Sequence, residues 1–109
     1  MAYDEGLAER VREVLSVRGD IAEKKMFGGL SFLLEGNMAV GVIGEDLIVR
    51  VGPHDYDEAL THKHTRPFDF TGRAMSGWVV VDPAGFEEDE ELTDWVLRGI
   101  GYAGSLPPK

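Results

Sequence analysis

Residues 30–51, which read LSFLLEGNMAVGVIGEDLIVRV, contain three apolar runs and two short polar separators. Within each run the side chains alternate with the period of two that is typical of a β-strand with two different faces. The separators, Glu35-Gly36-Asn37 and Gly44-Glu45-Asp46, combine glycine with Asn or Asp, as tight hairpin loops do. This stretch therefore predicts an antiparallel meander of three strands.

Helices are predicted on both sides of this meander. Between Leu7 and Leu15 the apolar residues recur at helical spacing, with charged residues between them. Near the other end, the five consecutive acids Glu87 to Glu91 precede a second apolar stripe that reaches Ala103. Because acidic residues stabilise the positive end of a helix dipole, the acidic run indicates the start of a helix.

Two further strands complete the predicted sheet. One covers Lys24 to Phe27, and the other is the β-rich run 77–81, which is closed by Pro83. Residues 52–76 are irregular in pattern, apart from a possible short helix at 55–61. The order of these elements predicts one domain over residues 1–109, a two-layer α+β fold. Its antiparallel sheet of about five strands is flanked by an N-terminal and a C-terminal helix.

Composition excludes several classes of site. The 109 residues include 20 Asp and Glu against 11 Lys and Arg, a net charge of −9, and no cysteine. Disulfides, thiolate metal sites and cysteine nucleophiles are therefore excluded, and the acidic balance disfavours nucleic acid as a partner. Since no stretch resembles a signal peptide or a membrane span, we expect a cytoplasmic location and no membrane partner.

The alternation in the strands also predicts what each face of the sheet carries. With Phe32, Val40, Val49 and Val79 directed at the helices, the opposite face is too apolar to be left bare. We expect it to be covered either by residues 52–76, through Phe68 and Phe70, or by a second subunit. The resulting interface candidates are Leu33, Ile43, Ile48, Trp78 and Val80.

A basic and aromatic stretch is the main candidate for ligand binding. Lys63, His64, Arg66 and Arg73 surround residues 67–72, and together they could bind a small anion. Alternatively, Phe68 and Phe70 alternate into the core while Arg66 and Arg73 pair with the acidic helices. No cofactor, metal site or catalytic set is predicted. His62 and His64 could lie on one side of an extended segment, but no His-Glu-x-x-His arrangement occurs, and Lys63 and Arg66 would repel a cation. The hydroxyl residues lack a nucleophile motif.

Several segments, taken in order, resemble the amino-terminal domain family of the competence regulator TfoX (Sxy). The signature Met26, Phe27, Gly28 and Gly29 is followed by Glu35-Gly36-Asn37-Met38-Ala39, and later by Arg66 to Phe70 and Gly77-Trp78-Val79. The resemblance implies a compact α+β fold similar to secretion chaperones and frequent self-association, and it supplies no catalytic residues.

Three functional hypotheses follow from the sequence. The first is a small non-enzymatic cytoplasmic domain that acts by protein contact or self-association, in a regulatory role. The second is a small anionic ligand binder or an enzyme that uses the segment from Lys63 to Arg73. The third is nucleic-acid binding.

Overall fold

The meander of residues 30–51 forms the centre of a six-stranded antiparallel sheet. A computed structural model describes residues 3–26, 28–69 and 72–109. The strands are ordered β1-β2-β3-β4-β6-β5 across the sheet. In chain order the elements are α1 (Glu5–Leu15), β1 (Ile21–Met26), β2 (Gly29–Leu34), β3 (Asn37–Ile43), β4 (Asp46–Arg50), α2 (Tyr56–Ala59), β5 (Thr65–Asp69), β6 (Ala74–Val81), a 3₁₀ turn (Pro83–Gly85) and α3 (Asp89–Gly104).

The two-layer α+β class is confirmed, and the sheet has one strand more than the pattern predicted. The additional strand, β5, lies in the segment that looked irregular and forms one edge of the sheet. Its alternation is hidden because Phe68 is its one buried side chain. The strand also contains Pro67, whose missing backbone donor is tolerated on an edge strand. The short helix expected in the same segment is present as α2.

Both terminal helices begin with side-chain caps. The carboxylate of Asp4 accepts hydrogen bonds from the backbone N–H groups of Gly6, at 2.8 Å, and Leu7, at 3.2 Å. At α3, Glu88 and Glu91 form a reciprocal capping box, so the predicted acidic run is the start of this helix. Within the described part of the chain, no helix has the length and apolar character needed to cross a membrane.

The helices cover one face of the sheet, hereafter the inner face. Phe32, Val40, Val49 and Val79 are at most 1% exposed and belong to the main core, which confirms their predicted direction. The register between β2 and β3 pairs Phe32 with Val40 but Leu33 with Met38, so one extra residue bulges from β3. That residue, Ala39, packs in the same core as Val40.

Candidate functional site

The sheet face opposite the helices, hereafter the outer face, carries a second and smaller apolar cluster. Met38, Ile48, Phe68 and Val80 are its buried members. The ring of Phe68, on β5, lies 6.3 Å from the ring of Trp78 between centroids. The chain therefore covers part of this face itself, through the residue that the sequence singled out. The other residue named for this cover, Phe70, lies outside the described residues.

The five interface candidates differ in accessibility. Ile48 is 2% exposed and Val80 is 5% exposed, so both form the floor of the outer face. Leu33, Ile43 and Trp78 are half-buried and remain within reach of another molecule. Beside them lies a groove of about 300 Å³ whose apolar lining includes Ile43, Ile48, Phe68 and Val80.

Charges on the outer face balance one another, unlike those of the whole chain. The guanidinium of Arg66 pairs with the carboxylates of Asp46, at 2.9 Å, and Asp82. Partial burial opposes its charge, but these two hydrogen-bonded carboxylates outweigh burial and raise the pKa of Arg66 above its ordinary value. Strand register, ion pairing or groove lining places six ionisable residues on this side, and their three positive and three negative charges cancel. They are Lys24, Asp46, Arg50, Arg66, Asp69 and Asp82.

The four residues predicted to bind an anion do not converge on one site. Lys63 and His64 line a cleft of about 350 Å³ between the α2–β5 loop and α3. Arg66 lies in the outer-face groove, where the two carboxylates described above already bind it. Arg73 is exposed in the connection between β5 and β6. Arg66 therefore pairs within the chain, but with Asp46 of β4 and Asp82 after β6, and not with the acidic helices that the second interpretation named.

Three residues that line the cleft of Lys63 and His64 form a charged and aromatic cluster with Glu58; they are His62, Trp95 and Arg98. Glu58 accepts a hydrogen bond from Arg98 and lies 2.6 Å from Nε2 of His62. The guanidinium of Arg98 is 5.0 Å from the centre of the Trp95 ring, and the His62 ring meets that same ring edge-on at 5.3 Å. The four-residue spacing of Glu58 and His62 is a helical-pair signal, but no sequence signal connects either residue with Arg98.

This cluster predicts a measurable pKa shift. Hydrogen bonds from Arg98 and then His62 hold the pKa of Glu58 below its ordinary value of 4.5. A carboxylate of this kind adds stability above its ordinary pKa, and the contribution is lost as the pH falls through the lowered value. We expect an NMR titration to show a midpoint for Glu58 below 4.5, returning toward 4.5 in Arg98→Gln. The Arg98→Lys variant should keep the midpoint low, and an unchanged midpoint in Arg98→Gln would contradict this assignment.

The signature residues at the β1–β2 connection have conformational and packing roles. Gly28 has φ +77°, which an L side chain rarely adopts. At Gly29 a Cβ atom would lie 2.2 Å from the carbonyl oxygen of Val42, so only glycine lets β2 begin this close to β3. Met26 is the half-buried last residue of β1, and Phe27 lies outside the described residues.

Comparisons with known proteins identify one family. The model for the TfoX N-terminal domain matches residues 13–103 of the 109 residues. The matched segment begins within α1 and ends within α3, so it includes the whole sheet and the outer-face cluster, and it leaves out Leu7, Ala8 and Val11 of the main core. No curated protein matches the chain. Over residues 3–26, 28–69 and 72–109, no group of three or more His, Asp or Glu side chains is arranged to hold a metal ion.

Proposed function

The chain belongs to the TfoX N-terminal domain family, and we propose that it is a small non-enzymatic cytoplasmic domain that pairs with a second copy through the outer face. In this proposal its role is regulatory and is exerted through protein contact. The observation that carries the proposal is the charge balance of the outer face, which has no net charge in a chain of net charge −9. Two copies can approach along this face while their acidic surfaces stay apart.

The shape of the outer face also suits contact between identical copies. A twofold interface is self-complementary, so one patch has to provide both a receptor and the groups that fill it. This face provides a groove of about 300 Å³, lined by both apolar and charged side chains, and the half-buried apolar side chains of Leu33, Ile43 and Trp78. These features support the proposal that each copy contributes both parts of the contact.

The edges of the sheet disfavour the alternative of strand-to-strand pairing. The edge strand β1 carries Lys24 and Lys25, and the opposite edge strand, β5, contains Pro67. Lysine and proline on edge strands hinder the addition of another strand. Association of this domain is therefore expected to use a face of the sheet.

Two ionic groups, Glu58 beside the cleft and Arg66 in the groove, are engaged in pairs within the chain, which favours a structural role for them. Glu58 is bound by Arg98 and His62, and Arg66 is bound by Asp46 and Asp82. These pairs connect α2 with α3, and β5 with the ends of β4 and β6. We infer that these groups serve the architecture of the domain.

A charge placed on the outer face tests the proposed pairing. We expect Leu33→Lys to weaken self-association at least about tenfold, because pairing would bury an uncompensated ammonium group. The matched control is Val17→Lys, which changes the net charge equally at a residue 91% exposed and outside the sheet. Light scattering coupled to size exclusion would measure both variants. Equal association of the two variants would contradict the proposal.

A further inference from the structure

Most arginines of this acidic chain form ion pairs with its own carboxylates. Five of the seven form ion pairs with Asp or Glu: Arg10, Arg12, Arg18, Arg66 and Arg98. All 20 Asp and Glu residues lie in the described part of the chain. Within that part, no carboxylate lies within ion-pair distance of Arg50 or Arg73, and of these two only Arg50 is half-buried.

Two aromatic rings hold the guanidinium of Arg50. Its central carbon lies 4.9 Å from the centre of the Trp78 ring and 5.4 Å from that of Tyr102. Trp78 is the cross-strand partner of Arg50 on β6, and Tyr102 approaches from α3. Guanidinium groups stack on aromatic faces and leave their N–H edges free for other partners.

The glycine at residue 52 leaves room for the Tyr102 ring beside Arg50. Gly52, two residues after Arg50, has φ +88°, and a Cβ atom there would lie 2.4 Å from Cε1 of Tyr102. Any side chain at residue 52 would therefore displace the Tyr102 ring. The close contact between Gly52 and Tyr102 keeps this ring at the end of β4, beside Arg50.

The N–H groups of Arg50 are open to solvent. None of them donates a hydrogen bond to another described residue. By contrast, the guanidinium groups of the five ion-paired arginines all donate hydrogen bonds within the chain. Nor is any buried side-chain nitrogen or oxygen without a partner among the described residues, so these donors reach water. A positioned arginine with free donors is suited to accept a planar oxyanion through two parallel hydrogen bonds.

We propose that Arg50, between Trp78 and Tyr102, binds the carboxylate of an acidic side chain in an apolar segment of a partner protein. The apolar part of that segment would contact Leu97, which is 52% exposed. Leu97 and Tyr102 line an open cleft of about 330 Å³. Arginine, tryptophan and tyrosine are the residue types that dominate binding energy at protein interfaces.

The surroundings favour a carboxylate over a phosphate. Arg50 provides one free positive charge, since Arg98, which lines the same cleft as Leu97 and Tyr102, is bound to Glu58. Asp55 lines the same cleft and adds a negative charge. A doubly charged phosphate would be repelled more strongly than a single carboxylate by Asp55 and by the net charge of −9.

Peptide titrations followed by NMR would test this site. The probe is acetyl-Leu-Glu-Leu-amide, the neutral control is acetyl-Leu-Gln-Leu-amide, and the readout is the indole N–H resonance of Trp78 at fixed ionic strength. We expect the Glu peptide to bind at least about tenfold more tightly than the Gln peptide. Arg50→Gln should remove this preference, and Arg50→Lys should reduce it, because an ammonium group cannot form the bidentate pair.

The controls separate this site from general charge effects and from self-association. Arg73→Gln makes the same change in net charge at the other unpaired arginine and should leave the preference intact. The inference rests on the geometry of Arg50 and not on the proposed pairing, so the titrations should give the same preference in the Leu33→Lys background. Equal binding of the two peptides, stronger binding of inorganic phosphate, or an equal loss in Arg73→Gln would overturn the proposal.

Discussion

Replacement of Gly99 by alanine is expected to destabilise the domain by about 3 kcal/mol, because the added methyl group overpacks the interface between α3 and the sheet. A Cβ atom at this position would lie 2.4 Å from the carbonyl oxygen of Ala39 and 2.7 Å from Cγ1 of Val40. The nearest atom belongs to the backbone of a central strand and cannot rotate away. Chemical denaturation would measure the loss in the free energy of unfolding.

Gly101 provides the matched control for this substitution. It lies in the same helix, is exposed, and a Cβ atom there would meet nothing within 4 Å. Gly101→Ala is therefore expected to stabilise the domain by up to about 1 kcal/mol, because alanine has the higher helix propensity. If both variants changed stability in the same direction, α3 would not pack on β3 as closely as described here.

The second large effect is expected at Phe68, which covers the outer face. Phe68→Ala should destabilise the domain by about 3 kcal/mol, because it removes a buried ring from a small cluster. Phe68 is 5% exposed and packs with Met38, Ile48 and Val80. Its loss would also expose Ile48 and Val80, so we expect self-association to increase in native conditions. Denaturation curves and light scattering on the same samples would measure the two effects.

Phe68→Leu is the control for this prediction, since it keeps an apolar side chain that still covers Ile48 and Val80. It should lose less than half as much stability as Phe68→Ala and should associate as the unchanged chain does. An alanine variant as stable as the unchanged chain would show that β5 does not cover the outer face.

The sequence predicted the elements whose signals are local. The meander follows from the period of two and from the turns at Gly36 and Gly44, and α3 follows from its acidic first turn and apolar stripe. Strand β5 was missed, since Pro67 and three other residues that are not fully buried disguise a strand with one buried side chain. Whether such a segment forms a strand depends on its pairing with β6, and the residues of β5 alone do not reveal that pairing.

The chemistry of the surface was predicted less completely than the fold. The alternation of side chains predicted the apolar outer face, and the sequence also predicted that Phe68 covers part of it. By contrast, Arg50 meets Tyr102, and Glu58 meets Arg98, only after the helices pack on the sheet. Contacts between residues about 40 or more positions apart have no periodic signal, so the sequence grouped Lys63, His64, Arg66 and Arg73 by proximity in the chain.

Intermolecular NOEs provide the most direct test of the proposed pairing through the outer face. A mixture of isotopically labelled and unlabelled chains would report contacts between copies separately from contacts within one copy. We expect such NOEs from the methyl groups of Leu33 and Ile43 and from the Trp78 ring. Their absence at concentrations where the chain associates, or NOEs confined to Val17 and Leu97, would contradict the account.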